Sequence, residues 1–168
     1  FIHAIGGLKM ERTPIHAECR GILSRDGYDI RKIIFQSQPG FFVTASLYIP
    51  HGISGRAPGI LMACGHGEQA KAHDTYQKVC IDLAKNGFVV LIVDPVGQGE
   101  RAQYYDKKAG MKLVKWNVTE HCYTGLQCDL TGSNIARYFV WDLIRALDYL
   151  CSLPEVDTDR IGMTGASG

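Results

Sequence analysis

The residues best able to do chemistry stand at the C-terminal end of the sequence. Residues 160–164 read as a short strand that runs into Gly165-Ala166-Ser167-Gly168, four of the five positions of G-x-S-x-G. In that motif a strand turns so tightly into a helix that the serine takes a strained backbone angle, and only small neighbours fit around it. The turn presents the Ser167 hydroxyl away from the sheet with backbone N–H groups beside it, as a nucleophile requires. The alternative is a glycine-rich turn holding an ordinary serine; the order of elements ahead of it favours the nucleophile. A second cluster, Gly65-His66-Gly67-Glu68, follows a predicted strand at 59–63. Attack on a carbonyl builds negative charge on oxygen, which needs N–H donors already in place. Backbone N–H groups of Gly67, Glu68 and Gly168 are the candidates. The His66 side chain is a candidate for facing substrate or for packing under its loop, and it is not assigned as a base. His121 is a second candidate for facing substrate, against the alternative of an exposed loop histidine.

Elements must position these residues. Residues 31–37 and 41–49 flank Pro39-Gly40 and read as a hairpin. Residues 74–86 read as a helix, with Tyr76, Val79, Cys80, Leu83 and Ala84 on one face, Asp74 and Gln77 as a capping box and Gly87 as the stop. Residues 88–93 form a continuous apolar run, the pattern of a parallel strand buried on both faces. The stretch 94–131 reads as a long irregular loop. Residues 133–151 give the strongest helical stripe, capped by Ser133 and ended by Pro154. The expectation is an α/β fold: an N-terminal hairpin, then parallel strands and two crossover helices, ending at the serine turn. Residues 1–27 are read as an N-terminal arm and 28–168 as the N-terminal portion of the domain.

Composition narrows the partners. The 168 residues carry a formal net charge of +1, with Lys and Arg scattered, which argues against nucleic acid or an anionic membrane. The longest apolar run is far shorter than the roughly 20 residues of a membrane-spanning helix. None of the six cysteines forms a C-x-x-C pair, so a zinc or thioredoxin-type site is not expected. No cofactor is expected either. Cys122 and Cys128 stand close enough in an apparent loop for a disulfide, without any geometry to require one. Three charged groups invite structural readings: Asp142, Arg145 and Asp148 as a solvated or structural cluster on one helix, Asp94 as a turn former before Pro95, and Glu100–Arg101 as an ion pair anchoring the long loop.

The runs Gly65-His66-Gly67, Leu83-Ala84-Lys85-Asn86-Gly87-Phe88 and Asp94-Pro95-Val96-Gly97-Gln98-Gly99-Glu100-Arg101 resemble those of acetyl xylan esterases and related α/β-hydrolases. So do Trp141-Asp142, the run 145–150, Pro154-Glu155-Val156-Asp157 and Arg160-Ile161-Gly162 leading into the Ser167 turn. The resemblance covers residues 22–168. It implies an incomplete α/β-hydrolase fold and a serine carboxylic-ester hydrolase that deacetylates a carbohydrate or similar small ester without a metal. A prolyl-oligopeptidase-like peptidase and a non-catalytic binding protein on the same scaffold are the alternatives. The family order of nucleophile, acid and histidine places both partners of Ser167 after Gly168, so neither triad partner is expected in this chain, and the 168 residues alone are expected to be inactive. A rival reading takes 97–102 as a G-x-G-x-x-A dinucleotide fingerprint; it requires an amphipathic helix after Ala102, where the sequence gives a poor one.

Overall fold

The computed structural model describes residues 2–115 and 117–167. Eight strands and three helices follow the order β1 (Glu18–Arg25), β2 (Tyr28–Gln38), β3 (Phe41–Pro50), β4 (Ala57–Ala63), α1 (Asp74–Lys85), β5 (Val89–Val93), β6 (Tyr105–Asp106), β7 (Met111–Lys112), α2 (Asn117–Leu130), α3 (Ile135–Ser152) and β8 (Val156–Gly165). Six strands form one sheet in the order β1-β2-β3-β5-β4-β8, and β6 pairs with β7 separately. The first three strands are antiparallel neighbours, and β3 also runs antiparallel to β5. β4 lies parallel to both β5 and β8.

The alternation of side chains across the sheet explains its layering. All five residues of β5 are buried. Val89, Leu91 and Val93 face α3, whose Ala146 and Leu150 share their cluster. Val90 and Ile92 face the other way, onto Tyr76, Cys80 and Ala84 of α1. Two covered faces leave no polar position, which is why the run reads as continuous rather than alternating. Trp141 of α3 donates its indole N–H to Ser37 O at 2.9 Å and so ties that helix to the end of β2.

Several expectations need correction. The arm at 1–27 contains an edge strand, β1, paired along β2. Its residues are exposed throughout except for a half-buried Gly21, so no alternating pattern marks it. Its signal is Asp26-Gly27, a two-residue hairpin turn with Gly27 at φ 85°. The stretch 94–131 is not one irregular loop, because it holds β6, β7 and α2. α2 buries Asn117 and Glu120 and leaves Val118, Tyr123, Leu126 and Leu130 exposed, so its apolar residues mark no core face. The cap of α3 is Asn134, whose side chain accepts from Ala136 N, not Ser133. In α1 the cap is His73, accepting from Thr75 N, and Gln77 donates to Ala72 O instead of closing a capping box. Cys122 and Cys128 both lie on α2, six residues apart and therefore on different faces, and all six thiols are free.

Candidate active site

Ser167 stands two residues beyond the end of β8, in the left-handed region at φ 64°. Few non-glycine residues adopt that conformation without a surrounding structure that imposes it. The imposing structure is the neighbouring strand. Ala63 at the end of β4 pairs with Gly165, and Ala166 N donates to Ala63 O at 3.3 Å. The two parallel strands therefore release their chains at the same end of the sheet, where open α/β sheets bind ligands. The loop after β4 passes directly beside the serine. A Cβ on Gly65 would lie 2.7 Å from both Ala166 O and Tyr76 Oη, and 3.0 Å from Ser167 Cβ. No side chain fits there, so glycine at 65 is what lets the two turns touch.

The loop at 65–68 is held from behind. Gln98 is buried, and its Nε2 donates to Gly65 O at 3.0 Å and to Gly67 O at 2.9 Å. Asn117 donates from Nδ2 to His66 O at 2.8 Å. Glu68 O accepts from Gly99 N at 3.3 Å. Among the described residues, the N–H groups of Gly67 and Glu68 donate to no protein acceptor. Gly168, the remaining expected donor, lies outside the described residues.

A cavity of about 190 Å³ opens beside Ser167, walled mainly by apolar atoms, with His66, Gln98, His121 and Asp142 among its lining. His66 and His121 meet edge to face with ring centres 5.4 Å apart, so the structure brings together the two histidines singled out in the sequence. His66 is exposed. His121 hydrogen-bonds through Nε2 to Val96 O at 2.8 Å and packs edge-on against Phe139. A carbonyl can only accept, so Nε2 carries the proton. Burial holds the His121 pKa below its ordinary value, and the neighbouring His66 adds to that effect. Cys64 also lines the cavity, but burial pushes its thiol up to about 12, and the S–H donates to Val93 O. A thiol held protonated is a poor nucleophile.

The charged groups of the rim are built into the scaffold. Asp94 is fully buried and does far more than form a turn. Its carboxylate accepts from Thr44 Oγ1 at 2.6 Å, Lys71 N at 3.0 Å, Glu100 N at 3.3 Å and the Lys71 ammonium. A Cβ on Gly99 would stand 2.6 Å from that carboxylate, so the Gly97-Gln98-Gly99 turn wraps Asp94. Glu100 and Arg101 do not pair with each other. Glu100 joins Lys71, while Arg101 donates to Asp142 Oδ2 at 2.7 Å and to Asp94 O at 2.9 Å. Asp142 and Arg145 are buried rather than solvated, and Arg145 pairs with Asp148. Burial raises the Asp142 pKa above its ordinary value, and the Arg101 guanidinium pulls against that rise. Sequence reasoning missed Gln98 and Asn117 as parts of this site. The glycines flanking Gln98 were the available signal, and their dinucleotide reading fails because the chain continues from Ala102 into β6 rather than into a helix.

An α/β sheet with a strained serine at a strand end, and a glycine loop packed against it, defines the α/β-hydrolase fold. Residues 23–168 match the profile of the acetyl xylan esterase (AXE1) family, and the chain belongs to that family. It is 26% identical over 175 residues to the Bacillus subtilis (strain 168) protein named "Putative hydrolase YtaP", covering 94% of this chain and 51% of the relative. Among solved structures it is similar to a "putative acetyl xylan esterase" from Bacteroides fragilis NCTC 9343, with TM-score 0.76 and 20% identity over 99% of this chain and 44% of that one. It is also similar to acetyl xylan esterase 1 from Thermoanaerobacterium sp. JW/SL YS485, with TM-score 0.66 and 22% identity over 92% and 46%. At these identities the structures carry the fold alone. The chain spans about half the length of the relatives it matches.

Proposed function

We propose that the protein containing this chain is a serine carboxylic-ester hydrolase that uses Ser167 as its nucleophile. The observation that carries the reading is the contact between Gly65 and the strained Ser167 turn, which sets a loop with unpaired N–H groups beside a hydroxyl at a strand end. In the proposed reaction Ser167 Oγ attacks the ester carbonyl and passes its proton to a histidine base. The oxyanion is held by N–H groups of Gly67 and Glu68 together with Gly168. Collapse expels the alcohol and leaves an acyl-enzyme, which water then hydrolyses. The base and its orienting acid come from outside these 168 residues, as the family order of the triad requires. The proposed substrate class, an acetylated carbohydrate or similar small ester, is supported by family membership and by the names of the similar structures. His66 and His121, which line the cavity, are the side chains proposed to face substrate.

The test uses the full-length protein. A fluorophosphonate probe should label Ser167, and Ser167→Ala should abolish release of acetate from both 4-nitrophenyl acetate and acetylated xylo-oligosaccharides. Labelling at another residue, or activity unchanged in Ser167→Ala, defeats the nucleophile assignment. Activity on aryl acetates with none on acetylated sugars defeats the substrate class alone.

A further inference from the structure

Four consecutive carbonyls of the loop after β4 point at protein donors. Gly65 O and Gly67 O accept from the two hydrogens of Gln98 Nε2, His66 O accepts from Asn117 Nδ2, and Glu68 O accepts from Gly99 N. Gly67 O also takes Ala70 N at 2.9 Å. Because a peptide unit is planar and trans, fixing a carbonyl on one side turns the N–H of the next residue to the opposite side. The planes 65–66 and 66–67 are therefore each held by one side chain, and the plane 67–68 by Gln98 together with the Ala70 N–H. The Gly67 N–H belongs to the plane that Asn117 holds, and the Glu68 N–H to a plane that Gln98 holds. Neither N–H has a protein acceptor among the described residues.

The two side chains are themselves fixed. Gln98 is 2% exposed and sits in a turn closed by its own N–H to Pro95 O and by Arg101 N to its carbonyl. The turn is possible because Gly97 and Gly99, on either side, take φ of 83° and 55°. Asn117 is 5% exposed, and its Oδ1 accepts from Val118 N at 2.7 Å. That bond decides which end of the amide is oxygen, so the donor end is the one that faces His66 O.

We propose that Gln98 and Asn117 are positioning residues for oxyanion binding: they touch no reacting atom, and they hold the Gly67 and Glu68 N–H groups aimed and unpaired. This deepens the serine-hydrolase reading and rests on it. Donors that are already oriented need no reorganisation as charge develops, whereas a glycine loop without such anchors is free to rotate its peptides.

Gln98→Glu keeps the size of the side chain and replaces both donor hydrogens by an acceptor facing two carbonyls. Asn117→Asp keeps the acceptor for Val118 N and removes only the donor to His66 O. In the full-length protein acting on 4-nitrophenyl acetate, kcat should fall roughly 10–100-fold in Gln98→Glu and about 10-fold in Asn117→Asp, less than the ~10²–10³ lost when an oxyanion donor is deleted outright. KM should move by less than about threefold, because the ground-state ester carries little charge to be held. An arylboronic acid, which forms an anionic tetrahedral adduct on the serine, should lose affinity by the same factor as kcat. A merely structural role would lower the melting temperature or the folded yield and leave kcat of the folded enzyme and boronate affinity unchanged. That result in a folded Gln98→Glu overturns the proposal. If Gln98→Glu does not fold, the same result in Asn117→Asp overturns it. Ser167→Ala separates the two readings: activity retained there brings down the nucleophile and this inference together. A dead Ser167→Ala beside a normal Gln98→Glu brings down this inference alone.

Discussion

Replacing Arg101 by methionine tests the buried charge pair that fixes the turn carrying Gln98. The Arg101 and Asp142 side chains are 4% and 3% exposed and meet at 2.7 Å. Methionine keeps much of the volume and removes the charge, which leaves a buried carboxylate whose Oδ1 already has no hydrogen-bond partner among the described residues. Breaking a buried pair from one side costs about 3–5 kcal/mol. The pH dependence gives the sharper check. The folded pKa of Asp142 lies above its ordinary 3.8, because burial outweighs Arg101. A carboxyl with a raised folded pKa stabilises fully below the ordinary value, and that contribution is lost as pH rises through the folded value. Without Arg101 the folded pKa climbs further, so the deficit of Arg101→Met against the parent should be largest near neutrality. It should shrink as pH falls, toward about 1 kcal/mol once Asp142 is protonated, because a neutral carboxyl needs no cation and only the lost bond to Asp94 O and the contact with the Phe41 ring remain. Urea unfolding followed by circular dichroism across this range measures the difference. A deficit under about 1 kcal/mol at neutral pH, or one that stays flat with pH, refutes the argument. Arg101→Met with Asp142→Leu should recover most of the loss, since an apolar pair leaves no charge stranded.

Other outcomes can be checked directly. Gly65→Ala should cut kcat by about 10²-fold while leaving the circular dichroism spectrum unchanged, because the new methyl must displace Ala166 O or the Ser167 side chain; near-normal kcat would show that the two turns are not in contact in solution. Cys64 and Cys80, whose thiols burial pushes up to about 12, should resist iodoacetamide in the native protein near pH 8. The exposed Cys19 and Cys122 should be alkylated first, and peptide mass spectrometry reads the order.

The parts of the fold that were legible in the sequence are those where one face is apolar and the other is not, or where both are. β5 announces itself by five apolar residues in a row, and α3 by a stripe that ends at Leu150. β1 and α2 escaped because their apolar residues are not sorted toward the core: Ile22 and Leu23 are exposed on β1, and Leu126 and Leu130 on α2. Such segments are ordered by ladder pairing and by polar contacts, which leave no period. The juxtaposition of the 65–68 loop with Ser167 was readable because parallel strands with crossover helices bring their C-terminal ends together. Asn117 left no sign in the sequence as a site residue, and Gln98 only the glycines that flank it. They act on backbone carbonyls, and any residue supplies a carbonyl, so nothing in the identity of residues 65–67 names its donor. Asp94 was misjudged for a related reason: the partners of its carboxylate, Thr44, Lys71 and the Glu100 amide, come from three separate segments that only the folded chain brings together.

The pairing of β4 with β8 also sets the order in which the molecule can assemble. Ala57–Ala63 and Val156–Gly165 are direct neighbours, yet about a hundred residues of chain separate them, including all three helices. The hairpins β1–β2–β3 close over two-residue turns and can form early, with little chain entropy to lose. β8 can dock only after that long intervening chain has been gathered in, a late and slow event of the kind that high contact order imposes. The strained turn at Ser167 depends on β8 and its pairing with β4. The nucleophile geometry is therefore acquired only once β8 has docked beside β4, a step later than closure of the local β1–β2–β3 hairpins.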